Sequence, residues 1–274
     1  MMCGIAGFIS KREFNKEAYI NNTVKSINHR GPDDYGYYFS EGVLILNTRL
    51  SIIDLENGNQ PFFNKNKSII VVQNGEIYNY VEVREKLKKE GCIFKTESDT
   101  EVILKAYERY RTNCFEHFNG MFAIAIYDKE KDKLILGRDR LGVKPLYIYQ
   151  YNNEIFFSSE IKSFLHVESF KKILNNQSIH NYLKYNYIPL PNTIFQNVKH
   201  VLPGSFLEIN VKTLNIKTTK YWDISNTEEM VNVSEEDIFD KIDEILEDAI
   251  KIRLRSDVAI GAFLSGGLDS SLVC

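Results

Sequence analysis

The chain has 274 residues, is 43% hydrophobic and carries a formal net charge of −3, with an isoelectric point near 6.0. This length suits one or two globular domains, and the charge gives no electrostatic footprint for nucleic acid or an anionic membrane. No stretch approaches the roughly 20 apolar residues of a membrane-spanning helix, and the N-terminus lacks the basic and apolar regions of a secretory signal. The cysteines lie far apart without zinc-type spacing, which favours a reduced, cytoplasmic protein with free thiols; they are Cys3, Cys92, Cys114 and Cys274.

Short β-branched runs between polar turn residues predict strands in the first two thirds of the chain. They are residues 4–7, 42–46, 68–72, a hairpin of 121–127 with 134–136, then 145–149 and 154–158. Helices are predicted at residues 17–29 and 80–90, and a third begins at Ser98 in a capping box with Glu101. Because strands and helices interleave without a βαβ period, the pattern favours α+β layers over a doubly wound sheet.

A second unit follows the polar stretch at residues 226–233. Isoleucines and leucines on one face predict an amphipathic helix over residues 234–256, and residues 258–264 predict a buried strand that enters SGGLDSS. Glycine amides, serine hydroxyls and a following helix N-terminus would cradle a phosphate, although a plain Gly-Ser turn is the structural alternative. We expect a first domain at 3–220, a linker at 221–233 and the start of a second domain at 234–274.

Cys3 raises the question of catalysis. It either belongs to a first strand whose glycines allow close packing, or it becomes an N-terminal nucleophile. In the second case its own α-amino group, with a reference pKa of about 7.7–8.0, supplies the base, and every residue before it must be removed.

Four further segments have both a structural and a functional interpretation. Arg49 is either a surface ion-pair residue or a clamp for a carboxylate. Asn74-Gly75 is either a tight hairpin turn or an oxyanion hole built from a side-chain and a backbone N–H. Asp99 either complements a helix dipole or pairs with a substrate ammonium, and residues 30–34 form a turn or a loop over a site.

Taken together, these motifs resemble those of class II glutamine amidotransferases in order and approximate spacing. With SGGLDSS downstream, the chain resembles the bacterial-type, glutamine-hydrolysing asparagine synthetase family, and SGGLDSS itself is similar to the SGG-x-DS pyrophosphate loop of ATP pyrophosphatases. The segments that carry the resemblance are CGIAG at 3–7, HRGPD at 29–33, RLSIID at 49–54, NGEIYN at 74–79, SDTE at 98–101 and GRD at 137–139.

The resemblance implies a four-layer αββα N-terminal-nucleophile hydrolase sandwich, followed by the beginning of an α/β ATP pyrophosphatase domain. It also implies roles for individual residues, whereas no metal-ligand set beyond the SGGLDSS loop can be identified in the sequence. Catalytic roles would fall to Cys3, Asn74 and Gly75. Glutamine binding would fall to Arg49, Leu50, Ser51, Ile52, Ile53, Asn74, Gly75, Glu76 and Asp99. ATP binding would fall to Leu264, Ser265, Gly266, Gly267, Asp269 and Ser270.

The implied reaction begins with attack of Cys3 on the glutamine side-chain amide to form a thioester, which water hydrolyses to glutamate. Ammonia then travels through a dry passage, which keeps it unprotonated, to a β-aspartyl-AMP. The products are asparagine, AMP and pyrophosphate. The partners would be L-glutamine, L-aspartate and ATP with Mg²⁺, while glutamine hydrolysis needs no cofactor; a homodimer is also possible.

Because only three residues follow SGGLDSS, the helix that completes a phosphate site barely begins. We therefore expect this chain to be a glutaminase without ATP chemistry. Two alternatives remain: amidation of a cell-wall or surface-polysaccharide carboxylate, and a catalytically inactive regulatory remnant. A relative that aminates a sugar phosphate is disfavoured, since it should lack SGGLDSS. The start Met-Met-Cys departs from the Met-Cys of the family pattern, and we expect translation to begin at Met2.

Overall fold

The computed structural model describes residues 3–12, 15–224 and 233–274; residues 225–232 of the expected linker lie outside them. Within this part of the chain, two sheets of antiparallel strands run in the orders β10-β8-β9-β1-β3-β2 and β12-β11-β7-β6-β5-β4. The strands are β1 (Gly4–Ile9), β2 (Asp34–Ser40), β3 (Val43–Arg49), β4 (Phe62–Phe63), β5 (Ile69–Ile77), β6 (Gly120–Asp128), β7 (Lys133–Arg138), β8 (Tyr147–Tyr151), β9 (Glu154–Ser158), β10 (Val198–His200), β11 (Ser205–Asn210) and β12 (Ile216–Lys220).

Helices cover both outer faces of the sheet pair. The described α-helices are α1 (Lys16–Ile27), α2 (Tyr80–Lys89), α3 (Asp99–Tyr110), α4 (Asn176–Tyr185), α5 (Glu235–Arg253) and α6 (Leu268–Val273), with 3-10 helices at Arg111–His117 and Ile161–His166. The predicted positions of α1, α2, α3 and α5 and of the strand runs in the first domain agree with these bounds.

Alternation along the strands produces the four layers, because successive side chains of a strand point to opposite faces. Along β3, Val43 and Ile45 enter the apolar core between the two sheets, whereas Leu44 and Leu46 pack outward with residues of α1. On the other side, residues of α2 and α3 form a third apolar cluster with the outer face of β5, β6 and β7. The predicted αββα sandwich is thereby confirmed.

The hairpin-turn alternative for Asn74-Gly75 is wrong. Both residues lie inside β5, where Asn74 pairs with Ala123 and Gly75 pairs with Phe122 of β6. Gly75 has a φ of +145°, and a Cβ there would overlap the carbonyl oxygen of Met121. The glycine therefore permits a local distortion and a close approach within a paired strand, and it does not reverse the chain.

The capping box predicted at the start of α3 is confirmed for Ser98 and wrong for Glu101. The Ser98 side chain accepts a hydrogen bond from the Thr100 N–H at 3.2 Å, as an N-cap does. Glu101, however, accepts from the N–H groups of Lys95 and Thr96 and from the Thr96 hydroxyl at 2.7–3.0 Å. The Glu101 carboxylate thus stabilises the loop before the helix. It does not accept the hydrogen bond from the Ser98 N–H that a capping box requires.

The strand predicted at residues 258–264 is absent from the described structure, where this segment is irregular and exposed. A strand needs a neighbour to take its N–H and C=O groups, and the described strands all belong to the two sheets of the sandwich. The apolar composition of residues 258–264 therefore predicted a buried strand, but no described strand lies beside this segment to pair with it.

Candidate active site

Cys3 lies immediately before β1. Its Sγ accepts a hydrogen bond from the Leu50 N–H at 3.3 Å, and the Arg30 Nε donates to the Cys3 carbonyl oxygen at 3.1 Å. Burial raises the pKa of the Cys3 thiol above its ordinary 9.0; the Leu50 N–H opposes this rise and the Asp99 charge adds to it. A thiol in this environment is protonated at neutral pH, so catalysis requires a base to remove its proton.

Arg49 ends β3, and the loop that follows folds around its buried side chain. One terminal nitrogen donates to the carbonyl oxygens of Asp54 at 2.6 Å and Ile53 at 3.3 Å. The other donates to the carbonyl oxygen of Leu55 at 3.3 Å and to the side chain of Asn59. The guanidinium therefore fixes the loop, and a carboxylate at its terminal nitrogens would have to displace the longer of these bonds.

Asn74 is buried in β5 and reaches across to the other sheet. Its Nδ2 donates to the Ser159 Oγ at 3.3 Å, while its Oδ1 has no hydrogen-bond partner among the described residues. Ser159 also accepts from the Ile5 N–H at 3.0 Å and donates its own N–H to the Ile5 carbonyl oxygen at 2.8 Å. Ser159 thereby joins the strand that follows Cys3 to the Asn74 amide.

A half-turn of the Asn74 amide gives a better hydrogen-bond arrangement, because it exchanges oxygen and nitrogen without moving the heavy-atom positions. The Ser159 hydroxyl then donates to Oδ1 while still accepting from the Ile5 N–H, which uses both of its capacities. The Asn74 Nδ2 becomes a free donor. A free, fixed donor is what stabilisation of an oxyanion requires.

Two carboxyl groups lie close to the thiol. Asp99, the first residue of α3, is buried and its Oδ2 accepts from the Ile77 N–H at 3.0 Å. Burial raises the pKa of Asp99 above its ordinary 3.8. Burial also raises the pKa of Glu76 above its ordinary 4.5; the Asp99 charge adds to that rise and the Lys144 charge opposes it. A bound ammonium group would relieve the repulsion between the two carboxylates.

Sequence reasoning missed a polar cluster beside Asp99. Gln73 donates its Nε2 to the Thr100 Oγ1 at 3.0 Å and its N–H to the Gln60 Oε1 at 2.7 Å. The Gln73 Oε1 is buried and has no partner among the described residues. A signal was present for Gln73, which is a polar residue in the apolar run of β5 directly before Asn74. Nothing in the sequence pattern pointed to Gln60.

A single pocket brings most of the predicted glutamine-binding residues together. Its lining consists of Cys3, Arg49, Leu50, Ile52, Ile53, Gly58, Gln60, Gln73, Gly75, Glu76, Ser98, Asp99 and Thr100. Two predicted residues do not line it. The Ser51 N–H donates to Asp33 at 2.8 Å, and the Asn74 amide contacts the Ser159 Oγ at 3.3 Å.

The predicted ATP-binding residues lie in a separate, largely exposed segment at 264–270. The Ser265 and Ser270 Oγ atoms are 2.9 Å apart, and the Ser270 Oγ donates to the Gly267 carbonyl oxygen at 3.0 Å. The following helix α6 has six residues. In the described part of the chain, no group of three or more His, Cys, Asp or Glu residues is placed to hold a metal ion, and no helix is long and apolar enough to span a bilayer.

Comparison with known families agrees with this geometry. The family described as glutamine amidotransferase domain matches residues 2–222. The chain belongs to this family. A second family, described as asparagine synthase, matches residues 241–274, a range that contains most of α5 and all of SGGLDSS.

Curated relatives of the amidotransferase are longer than this chain. It is 36% identical to asparagine synthetase [glutamine-hydrolyzing] 1 of Bacillus subtilis, over 99% of this chain and 43% of the relative. It is 39% identical to a putative asparagine synthetase [glutamine-hydrolyzing] 2 of Methanocaldococcus jannaschii, over 99% of this chain and 56% of the relative. The chain thus spans about half the length of these relatives.

The fold of the amidotransferase also has solved counterparts. The glutamine phosphoribosylpyrophosphate amidotransferase of B. subtilis matches with a TM-score of 0.59 and 21% identity, covering 80% of this chain and 49% of that one. This similarity supports the layered sandwich fold described above.

Proposed function

We propose that this chain binds L-glutamine in the Cys3 pocket and hydrolyses it to glutamate and ammonia. The observation that carries the proposal is the shared lining of one pocket by a half-buried thiol, an arginine and two carboxylates: Cys3, Arg49, Glu76 and Asp99. Glutamine offers the matching groups, which are an amide carbon for the thiol, a carboxylate for the arginine and an ammonium for the acids.

In the proposed first step, Sγ attacks the side-chain amide carbon of glutamine. The α-amine of Cys3, freed by removal of the preceding residues, takes the thiol proton and delivers it to the departing ammonia. A γ-glutamyl thioester remains on Cys3. Water activated by the same amine then breaks the thioester, so that glutamate leaves and the thiol is restored.

Three groups of residues support this step. The Gly75 N–H and the Asn74 Nδ2, in the rotated amide arrangement, would stabilise the tetrahedral oxyanion. Glu76 and Asp99 would hold the glutamine ammonium, with the buried Gln73 Oε1 as a further acceptor. On the opposite side, Arg49 would meet the carboxylate, flanked by the backbone of residues 50–53, which includes the predicted contributor Ser51.

The relatives are about twice as long as this chain. For a protein of that length that contains this sequence, we propose that the ammonia amidates aspartate to asparagine in the cytoplasm at the expense of ATP. The asparagine synthase match and the names of the relatives support this acceptor. SGGLDSS would supply a phosphate-binding loop, and the described residues contain no group of three or more His, Cys, Asp or Glu placed to hold magnesium. No step through ATP or Mg²⁺ is therefore assigned to them, and a homodimer stays a prediction.

The domain bounds are proposed on the same basis. A glutaminase domain at 3–220 agrees with the family match to residues 2–222, and a second unit at 234–274 contains the match to residues 241–274. The linker at 221–233 would join them.

Replacement of the nucleophile tests the proposal. Cys3→Ala should abolish glutamate release from glutamine while leaving the melting temperature near that of the wild type, because the small side chain leaves β1 intact. Intact mass and N-terminal sequencing of the wild-type protein should show Cys3 as the first residue. Undiminished glutamate release by Cys3→Ala would refute the role of the thiol.

A second assay tests whether residues 234–274 carry out ATP chemistry. The 274-residue chain incubated with glutamine, aspartate, ATP and Mg²⁺ should form glutamate but no asparagine. Formation of asparagine would show that residues 234–274 suffice for ATP chemistry.

A further inference from the structure

The start of the second unit contacts the glutaminase domain directly beside the glutamine pocket. After α5, the chain crosses the pocket wall at residues 253–257. There the Asp257 Oδ2 accepts from the Asp54 N–H at 2.7 Å, and the Asp257 N–H donates to the Ile52 carbonyl oxygen at 3.0 Å. Asp257 therefore brackets the stretch that contains Ile52 and Ile53, both of which line the pocket.

Asp54 connects Asp257 to other residues around the pocket through its own hydrogen bonds. Its backbone has a φ of +50°, a conformation in which a non-glycine residue is disfavoured unless neighbouring contacts hold it. Its Oδ2 accepts from the Glu97 N–H at 2.7 Å, and its carbonyl oxygen accepts from Arg49 at 2.6 Å. Asp54 is thus bound to the arginine on one side, to the residue two before Asp99 on another, and to Asp257 on the third.

Two arginines fix the crossing segment to the other side of the pocket. The Arg255 guanidinium forms a bidentate pair with Glu82, with both N···O distances at 2.6 Å, and donates to the Tyr78 carbonyl oxygen at 2.7 Å. The Arg253 guanidinium lies 4.5 Å from the centre of the Tyr78 ring. Tyr78 follows the pocket residue Glu76 by two positions, so the segment is held both at the loop of Ile52 and just beyond the end of β5.

We propose that Asp257 is a positioning residue for glutamine, acting through the loop that it brackets. The hydrogen bond to the Asp54 N–H joins a charged acceptor to a backbone donor, which is the stronger class of such bonds, and it stabilises the disfavoured conformation of Asp54. Without it, the loop samples shapes in which Ile52 and Ile53 no longer face the substrate carboxylate. This inference rests on the proposed glutaminase function and adds to it a dependence of glutamine affinity on the second unit.

The experiment compares Asp257→Ala and Asp257→Asn with Ser256→Ala. Ser256 is a matched control, because within the described residues its hydroxyl forms hydrogen bonds only with the backbone of Val258. In steady-state hydrolysis, Asp257→Ala should raise KM for glutamine by about tenfold and change kcat by less than about twofold, as expected when a bond that shapes the binding site is lost. Asp257→Asn retains an acceptor oxygen and should recover most of the affinity, while Ser256→Ala should match the wild type.

Two binding-independent readouts separate this proposal from the proposed function. Amide hydrogen exchange of the peptide covering residues 50–58 should be faster in Asp257→Ala than in the wild type or Ser256→Ala, with an unchanged melting temperature. If the wild type hydrolyses no glutamine, the proposed function fails, and the exchange result still decides whether Asp257 holds the loop. If the wild type is active and Asp257→Ala has an unchanged KM, the positioning role is refuted. A fall in kcat and melting temperature without a rise in KM would refute it equally, since it would indicate a structural role only.

Discussion

Ser159→Ala provides a sharp test of how the two sheets cooperate in catalysis. Ser159 is fully buried, and its Oγ accepts from the Ile5 N–H at 3.0 Å and contacts the Asn74 amide at 3.3 Å. Removing the hydroxyl leaves the Ile5 N–H without that acceptor, which costs about 1–3 kcal/mol for a buried group. It also leaves the Asn74 amide free to turn away from the developing oxyanion.

The expected loss of rate is smaller than the loss of a whole oxyanion donor. Deleting such a donor costs about 10²–10³ in kcat, and Ser159→Ala keeps Asn74 but loses its orientation. We therefore expect kcat to fall by about 10–100-fold with little change in KM. The assay is glutamate release over a range of glutamine concentrations, with thermal melting of the same samples.

Ser158→Ala is the matched control for this prediction. Ser158 is the neighbouring, equally buried serine, but its hydroxyl donates to the Ser163 Oγ at 3.0 Å and accepts from the Glu160 N–H at 3.2 Å. It has no hydrogen bond to Asn74. If Ser158→Ala and Ser159→Ala lower kcat to the same extent, the orientation of Asn74 by Ser159 is refuted.

Other perturbations test the electrostatics, the backbone and the exposed helix. Because burial raises the folded-state pKa of Asp99 above 3.8, the folded protein holds this proton more tightly than the unfolded chain, and stability falls as pH rises through that window. The melting temperature of Asp99→Asn relative to the wild type should therefore increase with pH, and a decrease would contradict the assignment. Gly75→Ala should lower the melting temperature by about 5–10 °C through overlap with the neighbouring strand. Gly91→Ala, also at positive φ but with nothing within 4 Å of its Cβ, should cost less, and equal effects would exclude the overlap as the cause. Ile242 and Ile245 are 45% and 56% exposed on one face of α5, so a double lysine replacement should reduce self-association in light scattering without lowering glutaminase activity; undiminished association would show that another surface is responsible.

Local patterns predicted the α+β layering, whereas the four-layer αββα order was predicted from the family resemblance. Runs such as Val43–Arg49 alternate between two apolar environments, and the hairpin of β6 and β7 is marked by polar residues between apolar strands. The predicted pocket residues were recognised as a set by their order and spacing. Each was ambiguous by itself.

What the sequence could not provide was long-range geometry. The terminal nitrogens of Arg49 donate hydrogen bonds to the loop that follows it. These bonds depend on how residues 50–59 fold, and the sequence of that loop has no periodic pattern that predicts its shape. Gln60 enters the pocket only because that loop returns to β5. For residues 258–264 the sequence predicted a strand that the described structure lacks. An apolar run forms a strand only where neighbouring strands exist to pair with it.

The bond between Asp257 and Ile52 has a consequence for regulation. Asp257 stands eight residues before Ser265, the first serine of SGGLDSS, so one short peptide connects a phosphate-type loop to the wall of the glutamine pocket. Coupling between two ligand sites is reciprocal by thermodynamic necessity. If a ligand of residues 264–270 shifts this peptide and thereby alters the affinity for glutamine, glutamine must alter the affinity for that ligand by the same factor.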